Sequence, residues 1–189
     1  MSPLRGIGPK VGRKLSAVAA RWVRRILRFW HMNWEIKTML NASAVACIEQ
    51  VRLGFVASVT SAGRPSVSPK GTFVVLSDHK IAFAEIRSPG TISNIDHSPE
   101  VEVNFVDNFR RKGWRMRGVT QILRRGSADF EEIFPKWEAL WADLSARIRA
   151  IVVIKVSDVQ PLSTPPYDDG VTEAEMIALY KEKYAKMYP

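Results

Sequence analysis

The residues best suited to chemistry in this chain gather around one short stretch, Ser88-Pro89-Gly90-Thr91. A serine followed by a proline reads as a helix start, with Ser at the N-cap and Pro at the first helical position. A helix N-terminus presents unpaired main-chain amides, and a phosphate dianion seeks such amides, hydroxyls and a cation. Ser88, Gly90 and Thr91 supply the first two, Asn94 follows one turn on, and Lys70 or Arg87 offers the charge. The same residues also fit an ordinary capped helix beside a polar rim, so the pattern alone leaves both readings open.

Other chemistries find less support. His31, His79 and His97 stand far apart with no metal-ligand spacing, so a zinc site is not expected. Cys47 is the single cysteine, which excludes an intrachain disulfide, and its place on the apolar side of a helix predicts a small core residue. There is no Gly-x-Ser-x-Gly elbow and no P-loop. Trp137 and Trp141, four residues apart, are read as packing residues. No apolar run reaches the roughly 18 residues needed to span a bilayer.

The elements that must position these groups are short. Asn41 is an N-cap for a helix to Gln50. Strands are expected over Gly54–Thr60 and Arg64–Ser68 around the turn Ser61-Ala62-Gly63, with Pro69-Lys70-Gly71 interrupting. Two more, Thr72–Leu76 and Lys80–Glu85, flank Ser77-Asp78-His79, and the helix opened at Ser88 runs to about His97. Val101–Asp107 and Trp114–Leu123 flank the charged loop Asn108–Gly113. One helix is expected over Phe130–Arg147, a last strand over Ala150–Val156 and a loop over Pro161–Gly170. Thr172 and Glu175 then form a capping box for the final helix. Short strands at hairpin spacing predict a mainly β (α+β) fold, an antiparallel barrel with peripheral helices.

With 189 residues the chain has room for one domain. Its net charge of +9 is unevenly spread. Residues 1–31 hold eight of the 28 Lys and Arg and no Asp or Glu, leaving 20 basic against 19 acidic side chains elsewhere. Residues 1–31 therefore read as a basic amphipathic extension, with Leu15 to Trp30 at helical spacing, and residues 32–189 as the folded domain. Leu4 to Leu15 is similar to a DNA-binding hairpin, but the helix that should precede it has no room. Gly6-x-Gly8 follows no strand, so it is no dinucleotide fingerprint. An anionic membrane surface, a targeting role and a true start at Met32 remain equal readings of the extension.

A family resemblance covers the middle of the chain. The hairpin Gly54–Gly71, the strand-to-helix corner Ile81–Ile95 and the strands Pro99–Asp107 and Gly113–Gly118 resemble, in order, the pyridoxamine 5'-phosphate oxidase-like split β-barrels. Pro165–Gly170 with Thr172–Glu175 resembles the tail of a flavin-binding subgroup. The resemblance implies FMN as cofactor, a two-fold homodimer with the flavin between barrels, and a cytoplasmic oxidoreductase without nucleic-acid partner or membrane span. Its phosphate would meet Ser88, Thr91, Asn94 and Lys70 or Arg87. The ring needs strand backbone along one edge, offered by Ser68, Pro69, Lys70, Gly71 and Thr72 and by Ala84 and Glu85. A positive group near N1 and O2 of the reduced ring would be Arg115 or Arg117. No catalytic side chain is expected, since the flavin takes hydride from a reduced nicotinamide or another small donor. Flavin storage or redox sensing without turnover is the alternative, and related barrels also hold a deazaflavin or haem. The oxidases' Arg-Lys pair at this helix start is replaced by Pro89-Gly90-Thr91, and their C-terminal arginine motif is missing. Vitamin B6 as substrate is therefore not implied.

Overall fold

The computed structural model describes residues 40–189. The basic helix expected over residues 15–30 and the boundary near residue 31 lie outside the described residues. Helix α1 (Ala42–Val51) is capped as expected, the Asn41 side chain accepting from the Ala44 amide at 2.8 Å. Seven strands follow: β1 (Gly54–Val59), β2 (Pro65–Lys70), β3 (Phe73–Ser77), β4 (Lys80–Glu85), β5 (Glu100–Asp107), β6 (Lys112–Arg124) and β7 (Ala150–Leu162). The remaining helices are α2 (Pro89–His97), α3 (Ala128–Ile133), α4 (Pro135–Ser145) and α5 (Glu173–Met187). No described helix is long and apolar enough to cross a membrane.

All pairings are antiparallel, in the order β2-β1-β5-β6-β7-β4-β3. The sheet curls until Phe73 on the edge strand β3 packs edge-on against Phe105 of β5, ring centres 4.7 Å apart. The edges β2 and β3 do not pair with each other, so this is a split barrel of the expected α+β class. Gly54 makes the closure possible, because a Cβ there would lie 2.5 Å from the Phe73 ring. The barrel interior is filled by Val56, Phe73, Phe83, Val103, Phe105, Met116 and Ile154 and closed by Ala44 and Ile48 of α1. A second core lies behind β4 and β7, where Ala82, Ala84, Ile151 and Val153 meet Phe130, Phe134 and Trp137 of α3 and α4. β4 and the first half of β7 are therefore covered on both sides, and their sequences run apolar without alternation.

Several boundaries shift by one or two residues from the sequence expectation, and three differences have a clear physical reason. β2 continues through Pro69 to Lys70, which an edge strand permits because proline's missing N–H is not needed for the ladder. The helix expected over Phe130–Arg147 is broken at Pro135, which starts α4 instead of continuing α3. β7 runs six residues past Val156, a register shift at Arg117/Gly118 letting its polar half pair with the start of β6. The capping box at Thr172 and Glu175 forms as expected.

Removing a fully buried aromatic ring costs about 3–5 kcal/mol in the usual range. Phe73→Ala should fall within it, since the ring is 1% exposed and contacts both Phe83 and Phe105. Urea unfolding followed by tryptophan fluorescence checks this, with an unchanged midpoint as the contrary result.

Candidate functional site

The end of β2 and the start of α2 come together around one ammonium. Lys70 points inward from β2, 6% exposed. Its Nζ donates to Ser68 Oγ at 2.5 Å and to Thr91 Oγ1 at 3.1 Å, and it lies 5.8 Å from the centre of the Phe83 ring. Among the described residues it enters no ion pair. Burial pushes its pKa below the usual lysine range, opposed by the field of the Glu85 carboxylate. A buried ammonium bonded to two hydroxyls and to no carboxylate is able to take an anion.

Beside it opens a cavity of about 240 Å³. Ser68, Pro69, Lys70, Gly71 and Thr72 form one wall, and Ala84, Arg87 and Ser88 form another, together with Ile86. Eight of the thirteen sequence-predicted residues thus line one space. A Cβ at Gly71 or Gly90 would meet nothing within 4 Å, so the main chain at both positions is approachable. An anionic group with an attached planar ring fits this donor set: ammonium, hydroxyls, main chain and an exposed guanidinium at the rim.

Other predicted residues take supporting places. Thr91 reaches the site through its bond to Lys70. Asn94 turns to the barrel end, its amide donating to Ser58 Oγ at 3.0 Å. Glu85 is buried, and its Oε1 accepts from the Ser88 amide at 2.6 Å. Arg149 grips the same carboxylate with Nε at 3.1 Å and a terminal nitrogen at 2.8 Å. Ser88 stands at the N-cap of α2 but makes no side-chain cap bond. Its hydroxyl is not spent on its own helix.

Arg115 and Arg117 are not brought to this cavity. Both leave β6 on the face opposite the core residue Met116. Arg117 donates to Glu102 at 3.0 Å, and Arg115 lies 3.7 Å from the same carboxylate and 2.5 Å from Gln160. Alternation along the strand fixes this, since two residues flanking an inward methionine must face outward.

Sequence reading missed a second cavity of about 290 Å³, between α1, the ends of β5 to β7 and the start of α5. Cys47 lines it, so this cysteine is half-buried instead of fully inside the core, its thiol pKa raised by burial and by Asp107. Arg110 donates there to Asp107 at 2.6 Å and to Glu173 at 2.9 Å. Burial raises the Asp107 pKa, but hydrogen bonds from Arg110 and the Phe109 amide outweigh it and hold it below the usual range. These charges satisfy one another, whereas the ammonium of Lys70 has no carboxylate of its own.

Known proteins agree with this architecture. The family model for pyridoxamine 5'-phosphate oxidase matches residues 40–168. HupZ of Group A Streptococcus is 25% identical, covering 67% of this chain and 96% of its own, with a TM-score of 0.58. An FMN-binding protein of Syntrophomonas wolfei shares 11% identity over 76% of this chain and 98% of its own, with a TM-score of 0.56. HutZ, the haem storage protein of Vibrio cholerae, shares 14% over 65% and 94%, with a TM-score of 0.53. No curated protein matches the chain. With the family model spanning most of the described residues and a fold shared along nearly the whole length of these structures, the chain belongs to the pyridoxamine 5'-phosphate oxidase family.

Proposed function

We propose that this protein binds FMN at the Lys70 corner and works as a flavin-dependent oxidoreductase on a small molecule. The observation that carries the reading is the buried ammonium of Lys70, bonded to Ser68 and Thr91 and free of any carboxylate partner among the described residues. Lys70 and Thr91 receive the phosphate, with Ser88 and Arg87 at its rim. The wall from Ser68 to Thr72 and the facing Ala84 offer main-chain groups to the ring. Bound FMN supplies the hydride chemistry, taken from a reduced nicotinamide or a comparable donor. The protein's own part is to bind, orient and exclude water.

Two residues test the phosphate site directly. A hydrogen bond to a charged group is worth about 1.5–3 kcal/mol, or roughly ten- to a hundredfold in affinity. Lys70→Ala and Thr91→Ala should each weaken FMN by that factor while leaving riboflavin, which lacks the phosphate, unchanged. Titration of the apoprotein with both flavins measures this. Equal FMN affinity in wild type and both variants would remove the phosphate from this corner. An absorption spectrum of the purified protein that shows haem or a deazaflavin, or a preference for FAD, would overturn FMN itself. Steady oxidation of a reduced nicotinamide separates an enzyme from a flavin store.

The same reading includes a homodimer. Phe55, Val59 and Val67 are exposed on one outward face of β1 and β2, beside the charged cluster of Glu102, Arg115 and Arg117. Asn104 lies on that face too, its Oδ1 covered and without a hydrogen-bond partner among the described residues. A second copy would bury the apolar patch and bring Arg115 or Arg117 toward its neighbour's flavin. Light scattering at micromolar concentration should return twice the chain mass. A monomer that keeps its flavin would defeat this arrangement.

A further inference from the structure

The cavity beside Lys70 exists because β3 and β4 part company at one residue. Their ladder ends at the pair Phe73 and Phe83. The next pair would join Thr72 to Ala84, and Ala84 does find its two hydrogen bonds, but not from the Thr72 main chain. The Thr72 hydroxyl accepts from the Ala84 amide at 3.0 Å and donates to the Ala84 carbonyl at 3.0 Å. One side-chain oxygen thus stands where a strand's backbone would stand. The Thr72 main chain has left the ladder, and its carbonyl accepts from the indole Nε1 of Trp137 at 2.9 Å.

Trp137 is well placed to hold that carbonyl. It is fully buried in the core behind β4, packed with Phe130 and Phe134. A buried indole N–H needs an acceptor, and here the acceptor is the backbone of the cavity wall. Each bond therefore does a separate job. The Thr72 hydroxyl ties the wall to β4 at a fixed spacing, and Trp137 fixes the direction in which the wall leaves the sheet.

We propose that Thr72 and Trp137 are positioning residues for the ring of the bound flavin, acting through the main chain of Gly71 and Thr72. This rests on the FMN reading above, and it assigns to Trp137 a role that its core position alone does not. The phosphate contacts lie with Lys70 and Thr91. Loss of the Thr72 or Trp137 bond should therefore disturb the part of the ligand that FMN and riboflavin share.

The test measures the affinities of both flavins for wild type, Thr72→Val, Thr72→Ser and Trp137→Phe. Each substitution to Val or Phe keeps most of the side-chain volume and deletes the hydrogen bond. The expected result is a loss of about tenfold for FMN and riboflavin alike, with their ratio unchanged, the usual scale for one or two neutral hydrogen bonds. Thr72→Ser, which keeps the hydroxyl, should restore wild-type affinity, a rescue that simple loss of packing would not give. The visible spectrum of bound flavin in Trp137→Phe should shift relative to wild type, because the ring's hydrogen-bonded edge has moved. Wild-type affinity for both flavins in Thr72→Val and Trp137→Phe would overturn the positioning role alone. So would a Thr72→Ser protein as weak as Thr72→Val, or a loss confined to FMN. Wild-type protein that takes up neither flavin would overturn the FMN reading as well.

Discussion

The burial of β4 and β7 on both faces is the constraint from which the rest of this fold is built. One face of each strand lines the barrel, through Ile81, Phe83, Val152 and Ile154. The other supports α3 and α4, through Ala82, Ala84, Ile151 and Val153. A strand pair that can expose neither face must be sandwiched, and small residues at 82 and 84 let the helices approach closely. Trp137 reaches the back of β4 for this reason. From there its indole can touch the Thr72 carbonyl, so the packing of a core helix and the shape of the cavity wall are one arrangement.

The corner at Lys70 is stabilised against this background of apolar burial at some cost. A lysine at an edge strand would ordinarily extend its stem and leave its ammonium in water. Here the stem turns inward beside Phe83, and two hydroxyls replace only part of the hydration. The downward shift of its pKa records that deficit. An anion delivered to the same place would remove the deficit and push the pKa back up, so binding and protonation of Lys70 favour each other. Ligand affinity is coupled to burial through one side chain.

Much of this was legible in the sequence, and unevenly so. Turn signals and hairpin spacing placed β1, β4, β5 and the first half of β7. The motif Ser88-Pro89-Gly90-Thr91 located the helix start, and the need of a phosphate for a cation pointed to Lys70 or Arg87 without deciding between them. What escaped had no local signature. The direction of Arg115 follows from strand parity relative to Met116, but parity decides it only once Met116 is known to face the core. The Thr72 clamp joins residues 12 positions apart and the Trp137 bond residues 65 apart, and nothing in either neighbourhood announces them. The polar second half of β7 was lost because its pairing depends on a register shift in β6.

A carboxylate beside an anion site would seem self-defeating, and Glu85 shows how the corner avoids it. Both oxygens are already engaged, by the Ser88 amide and by the two nitrogens of Arg149. Arg149 is largely exposed while Glu85 is almost wholly buried, so the pair sets a buried negative end against a solvated positive one. Its net charge is zero, and the positive balance left at the corner belongs to Lys70 and Arg87. The carboxylate also restrains the turn between β4 and α2, since Ser88 cannot rotate away without leaving a buried acceptor short of a donor. Glu85 would therefore serve the proposed anion site without touching the anion. It trades one amide at the helix start for a rigid corner, and in the proposed site the hydroxyls of Ser88 and Thr91 stand in for that amide.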